Sequence, residues 1–89
     1  PYFEGHFTEH AVLPGLVQLL WAQHFARESL ALEGVFAGMK TIKFRELVSA
    51  DTELSLSLKY EKQSGRLYFH YDSKDGRHSQ GILLFEDKT

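Results

Sequence analysis

The 89-residue chain is 43% hydrophobic and 25% charged, which predicts one small globular domain and leaves no length for a second. A formal net charge of −2 argues against nucleic acid and anionic membranes as partners, because both attract clustered lysine and arginine. The sequence holds no cysteine, which excludes disulfides and thiol chemistry. It shows neither a secretory leader nor an uncharged stretch long enough to cross a membrane. From these features we expect a cytoplasmic protein.

The first segment places a histidine near the start of a predicted helix. His6 lies within Gly5-His6-Phe7, which we interpret as a turn, and Pro14-Gly15 follows after a short gap. Proline is favoured at the first position of a helix, and a glycine beside it lets another group approach the exposed backbone N–H groups. The segment therefore pairs a candidate base with a candidate donor for an oxyanion.

One long apolar segment follows. Residues Leu16 to Leu32 contain no glycine or proline, so they predict a single helix that is closed by Gly34. In its first half, apolar residues occur almost all round the helical wheel, which indicates a helix that is buried on most sides.

The rest of the chain has the pattern of strands. Apolar residues recur, mostly in alternation with polar ones, through Ile42 to Leu47, Leu54 to Tyr60, Leu67 to Tyr71 and Ile82 to Phe85, with turn residues at Ser64-Gly65 and Asp75-Gly76. An antiparallel sheet with one apolar face must cover that face, and the predicted helix is the only cover available. We expect an α+β fold in which the sheet wraps around one long central helix; an open α+β sandwich is the alternative.

These motifs resemble the hotdog-fold β-hydroxyacyl-thioester (acyl-carrier-protein) dehydratases, in the branch related to aryl-polyene and fatty-acid biosynthesis. Gly5-His6-Phe7 and Pro14-Gly15 match the family pattern without a gap, and Gln18-Leu19 and Trp21 extend the match. The resemblance implies that residues 1–89 form a single hotdog domain without the family's N-terminal strand. It also implies a hydro-lyase without a cofactor, acting on thioesters of acyl-carrier protein or coenzyme A in fatty-acid or polyene-type lipid biosynthesis. Because so short a chain buries little surface, we expect a homodimer or a higher oligomer.

The resemblance also implies roles for individual residues. His6 would take the α-proton and the N–H of Gly15 would bind the thioester carbonyl, while the acyl group would lie against Phe7, Pro14, Leu20 and His24. Each role has a structural alternative. The imidazole of His6 could cap a turn, Gly15 could be a tight helix start, and His24 could be a hydrogen-bonded core histidine.

Position 20 departs from the family. The resembling enzymes carry their helix acid there, supplied across a dimer interface, whereas this chain has Leu20, which cannot transfer a proton. Glu4 is one substitute, since residues two apart on an extended segment share a face, and Gln18 or a water could orient the hydroxyl. The alternatives to a dehydratase are therefore a catalytically impaired or accessory acyl-thioester-binding subunit, including one paired with an acid-bearing homologue, and a hotdog thioesterase.

Two further groups of polar residues have less specific patterns. His6, His10 and Glu9 offer too few convergent ligands for zinc, so we expect no metal site. Lys40, Lys43 and Arg45 form a small basic cluster, with the last two on one strand face, that would suit an acidic carrier protein. A solvated strand face is the alternative for this cluster.

Overall fold

A computed structural model of the protein describes residues 2–9, 14–45 and 48–87. The described residues form, in chain order, β1 (Tyr2–Glu9), α1 (Gly15–Ser29), β2 (Val35–Phe44), β3 (Thr52–Glu61), β4 (Arg66–Ser73) and β5 (Gly76–Glu86). The strands pair antiparallel in one sheet of order β1-β3-β4-β5-β2, and α1 packs against one face of it. This is the predicted α+β arrangement of one helix and one antiparallel sheet.

The core lies between α1 and the helix-facing side of the sheet, which we call the inner face. Its buried apolar side chains come from the helix, the turn after it and three strands: Ala22, Ala26, Leu32, Leu56, Leu58, Leu67, Phe69, Tyr71, Leu83 and Phe85. The alternation in β3 and β4 aligns these side chains, and burial of each large one stabilises the fold by roughly 1.5–3 kcal/mol.

Strand register determines which residues share a face, because directly paired residues of antiparallel strands point to the same side. One inner-face row runs across the sheet through Gly5, Leu56, Tyr71, Ser79 and Phe44. The adjacent row on the opposite side, the outer face, runs through His6, Ser55, Asp72 and Arg77. The candidate base, His6, therefore lies on the outer face of the sheet, whereas the start of the helix packs on the inner face.

Several element boundaries differ from the sequence prediction. The segment around His6 is part of a strand rather than a turn, because Phe3 and Phe7 pack against the core while β1 pairs with β3. The helix ends at Ser29 instead of Leu32, since Leu32 turns inward and is 3% exposed. Leu47, which we placed in a strand, lies outside the described residues.

The helix is covered on one side only. Its buried residues are Gln18, Ala22 and Ala26, whereas Leu16 and Leu20 are 68% and 56% exposed. The expectation that α1 is buried on most sides is wrong within one protomer, because the sheet contacts only the face that carries the small alanines.

Candidate functional site

His6 projects from the outer face of β1. Its side chain is 71% exposed, and Nε2 lies 3.7 Å from Oε1 of Glu4, which shares its face as the two-residue spacing predicted. A shallow cavity of about 290 Å³ beside it is lined by Ser55, Asp72 and Lys74, among other residues. The imidazole is thus open to solvent and to ligands, and it caps no turn.

The start of α1 differs in detail from the predicted arrangement. Pro14 is the residue before the helix rather than its first member, because its ψ of 154° is extended, and its carbonyl accepts a hydrogen bond of 3.1 Å from the N–H of Gln18. The first turn, Gly15 to Gln18, contains no acidic residue. The positive end of the helix dipole is therefore not neutralised by a carboxylate of its own first turn.

Gly15 lies directly beneath an aromatic ring. A Cβ atom at this position would be 2.8 Å from Cε1 of Phe44, the last residue of β2. A side chain at this position would therefore require the Phe44 ring, which is 52% exposed, to move.

Leu20 and His24 lie one turn apart on the uncovered side of α1. The imidazole of His24 is 60% exposed, with Nε2 3.4 Å from Oε1 of Glu28, and its ring centroid is 5.5 Å from that of Phe25. The alternative of a core histidine is therefore wrong. Phe7 instead packs inside the protomer, with its ring 5.4 Å from that of Trp21.

One protomer does not close the site that the resemblance implies. Among the residues that the structure describes, no hydrogen bond or ion pair connects His6 with Gly15, Leu20 or His24. We call Glu4 and His6 the histidine half-site, and Pro14, Gly15, Leu20 and His24 the helix half-site.

Gln18 does not face the helix half-site. It is 3% exposed and points to the sheet, where Oε1 accepts a hydrogen bond from Oγ of Ser79. Its backbone carbonyl accepts a second bond, of 2.7 Å, from the hydroxyl of Tyr71. Burial raises the pKa of that hydroxyl, so it remains a donor. This placement removes Gln18 as a substitute that orients a substrate hydroxyl.

Asp72, in the outer-face row of His6, is held by two basic side chains. Arg77 Nε donates to its Oδ1 at 2.9 Å, and Nδ1 of His70 is 2.8 Å from its Oδ2. Partial burial raises the pKa of Asp72, but the hydrogen bonds from Arg77 and His70 and their charges outweigh burial and lower this pKa below its usual value. The cluster joins β4 to β5 next to the histidine half-site.

We expect Asp72→Asn to destabilise the protein near neutral pH and to weaken the acid dependence of its stability. Because the folded-state pKa is lowered, the stabilisation exists above the unfolded pKa of about 4 and is lost as pH falls through the folded value. Half-exposed pairs of this kind contribute roughly 0.2–1 kcal/mol. Urea unfolding at neutral and acidic pH measures the effect, with Asp75→Asn in the neighbouring exposed turn as the control. An equal loss from both variants at every pH would contradict the assignment.

The basic cluster is arranged by a bulge in β2. Lys40 pairs with Ile82 and Lys43 with Gln80, so the three-residue spacing still places both lysines on the outer face. Arg45 follows the end of the strand, and its N–H donates to the carbonyl of His78 at 2.9 Å. The prediction that Lys43 and Arg45 share a strand face stays a prediction, because Arg45 lies one residue beyond β2, while Lys40 and Lys43 do share the outer face.

In the described ranges, no three histidine, aspartate or glutamate side chains converge as metal ligands. His10, which we considered as a ligand, lies outside those ranges. In the same ranges, no helix has the length and apolar character needed to cross a membrane.

The sequence matches a family and its relatives over most of its length. The model of the ApeI-like family, described as ApeI dehydratase, matches residues 1–82. The 3-hydroxyacyl-[acyl-carrier-protein] dehydratase FabZ of Streptococcus agalactiae is 32% identical over 74 residues, which are 75% of this chain and 53% of that protein. FabZ of Macrococcus caseolyticus is 35% identical over 72 residues, 73% of this chain and 50% of that protein. The chain thus spans about half the length of the curated relatives it matches.

Solved structures share the fold at low identity. An uncharacterised protein from Erwinia carotovora superposes with a TM-score of 0.87 at 23% identity, covering 98% of this chain and 84% of that one. The dehydratase heterocomplex ApeI:P from Xenorhabdus doucetiae gives a TM-score of 0.79 at 24% identity, covering 91% and 85%. These similarities confirm the predicted hotdog fold.

Proposed function

Since the chain belongs to the ApeI-like dehydratase family, we propose that it binds β-hydroxyacyl or enoyl thioesters and carries the base and the carbonyl donor of a dehydratase. The chemistry is a hydro-lyase reaction in which the α-proton and the β-hydroxyl leave as water. The observation that carries the proposal is the solvent-open imidazole of His6, 71% exposed within a motif that matches the family's. An imidazole is an effective general base at neutral pH.

The start of α1 supplies the second function. As the α-proton leaves, negative charge builds on the thioester oxygen, and the N–H of Gly15 at the positive end of the helix is the proposed donor for it. The missing carboxylate in the first turn supports this role, because a local negative charge would oppose the developing oxyanion.

The third function, protonation of the departing hydroxyl, has no group at its usual position. Leu20 occupies it, and Glu4 lies 3.7 Å from His6 on the other face of the sheet. Glu4 is therefore placed to pair with the imidazole rather than to act from the helix half-site. We propose that binding and α-proton removal are retained and that elimination is slow.

The histidine half-site and the helix half-site are not joined within one protomer, so we propose that a second subunit completes the site. β2 is at the edge of the sheet, and its side chains include four large hydrophobics that are 43–54% exposed: Val35, Phe36, Met39 and Phe44. An edge strand leaves N–H and C=O groups free to pair with another chain, and exposed apolar side chains favour their burial there. A homodimer formed along β2 would also cover the uncovered side of α1.

We expect the protein to be a homodimer and Met39→Asp to make it monomeric at micromolar concentration. The substitution places a charge in an apolar interface, where it has no partner. Light scattering measures the mass, and Lys62→Asp, in the exposed β3–β4 turn, is the control. A compact wild-type monomer would contradict the shared-site proposal.

A subunit paired with an acid-bearing homologue is the second candidate function. The exposed Leu20 favours it, since a partner could bring a carboxylate to that surface. The fold relative ApeI:P is itself a heterocomplex. A thioesterase is less well supported, because activation of water also needs a polar group where Leu20 stands.

The proposed thioester donor is a carrier protein or coenzyme A. The FabZ relatives are named for acyl-carrier-protein substrates. Lys40 and Lys43 lie exposed side by side on the outer face, which suits docking of an acidic carrier through charge attraction.

Hydration of short and medium enoyl thioesters, with parallel equilibrium binding of a non-reactive acyl thioester, tests the proposed function. We expect saturable binding together with slow hydration. A protein that neither binds nor hydrates any of these thioesters would contradict the proposal.

A further inference from the structure

The first turn of α1 is attached to the sheet through Gln18. The N–H of Gln18 donates to the carbonyl of Pro14 at 3.1 Å, which closes the first helical turn around Gly15. The carbonyl of Gln18 accepts from the Tyr71 hydroxyl, and its Oε1 accepts from Ser79 Oγ. One buried residue therefore links the helix start to β4 and β5.

These partners are neighbours in one row of the sheet. Tyr71 pairs directly with Ser79, and Ser79 pairs directly with Phe44, whose ring covers Gly15. Tyr71 and Ser79 are both 0% exposed, so their hydroxyls lie away from water. Three adjacent strands thus hold Gly15 and Gln18 from the same inner-face row.

We infer that Gln18, held by Tyr71 and Ser79, is a positioning residue that sets the direction of the Gly15 N–H toward a thioester carbonyl. This role rests on the proposed function. A helix packed only by apolar contacts could rotate or slide by a fraction of a turn, whereas hydrogen bonds to a backbone carbonyl and to an amide oxygen define one orientation. Donors that stabilise an oxyanion act only when they point at the place where its charge develops.

The test separates positioning from stability by removing one or both members of the buried pair. Gln18→Met and Ser79→Ala each leave a buried polar group without this partner, so both should lower the melting temperature. The double variant removes both members of the hydrogen bond between Gln18 and Ser79 and should recover part of that loss. Ser57→Ala, at a serine of β3 that is 5% exposed and lies on the outer face, away from the helix, is the matched control.

We expect the double variant to keep a kcat for thioester hydration that is about 10–100-fold below wild type, because small misplacements of a catalytic donor have effects of this size. Its KM should change much less, and the shape of its pH profile should stay that of the wild type. Hydrogen exchange at the residue-18 N–H should be faster than in the wild type.

Two outcomes would overturn the inference, and they are distinguishable. An active wild type whose double variant recovers kcat together with melting temperature would assign Gln18 a structural role and leave the proposed function intact. A wild type that neither binds nor hydrates thioesters would overturn the proposed function and this role together.

Discussion

Leu20→Asp and Leu20→Glu are expected to raise the rate of thioester hydration by about 10²–10⁴-fold over the wild type, since a positioned general acid contributes a factor of this size. The motivation is the gap-free match of His6 and Pro14-Gly15 to the pattern of the resembling enzymes, from which we propose that the acid belongs at position 20. Hydration kinetics normalised to folded protein measure the gain.

The exposure of Leu20 determines whether this substitution affects the stability of the fold or the association of subunits. Because the side chain is 56% exposed in the protomer, a carboxylate there meets water and should scarcely affect folding of the chain. Where a partner covers it, desolvation raises the pKa of the new carboxyl, which favours the protonated form that an acid needs. Burial of a polar group without a partner costs roughly 1–3 kcal/mol of free energy, and in this case that cost weakens subunit association.

Leu20→Asn is the matched control, because it places a polar side chain of the same size as Asp at position 20 without a carboxyl group. It should not raise the rate. A wild type that already turns over at about 10 per second, with Leu20 variants no faster, would show that another residue supplies the acid.

His6→Ala is expected to abolish most thioester chemistry while leaving the fold intact. Loss of a general base lowers rates by about 10²–10⁴-fold. A side chain that is 71% exposed contributes little packing, so the stability should change by no more than about 0.5 kcal/mol. Thermal melts and hydration assays on the same preparations measure both effects.

Thr8→Ala is the control for this substitution, because Thr8 is an exposed residue of β1 on the same outer face. It should leave activity and melting temperature near wild type. A His6→Ala protein that unfolds, while binding is unchanged in the fraction that remains folded, would assign the imidazole a structural role.

Local patterns predicted the order of the helix and of the later strands. The alternation from Leu54 to Tyr60 agrees with β3, and the unbroken apolar run agrees with the body of α1. The bulge between Lys40 and Lys43 was missed because it depends on pairing with β5, which is distant in sequence. The end of the helix was missed because Leu32 joins a core of side chains from strands that are distant in sequence. The strand that carries His6 was missed for the same reason, since its partner is β3.

For the candidate site, the sequence proposes individual residues but not their arrangement. The roles of His6 and Gly15, proposed from motif and spacing, stay predictions, and their attachment to opposite faces of the sheet follows from the packing of Phe7 against Trp21. The bonds of Gln18 to Tyr71 and Ser79 span 53 and 61 positions. A buried serine between polar neighbours has the same sequence pattern as a solvent-exposed one, so no local signal identified Ser79.

Exchange of the α-proton tests most directly whether this chain retains the base and the carbonyl donor without the acid. A β-hydroxyacyl thioester is incubated with the protein in deuterated water, and NMR measures deuterium at the α-carbon beside the yield of enoyl thioester. We predict that the wild type incorporates deuterium faster than it forms enoyl product and that His6→Ala incorporates none above background. Incorporation that is unchanged in His6→Ala, or wild-type elimination that keeps pace with exchange, would contradict the account.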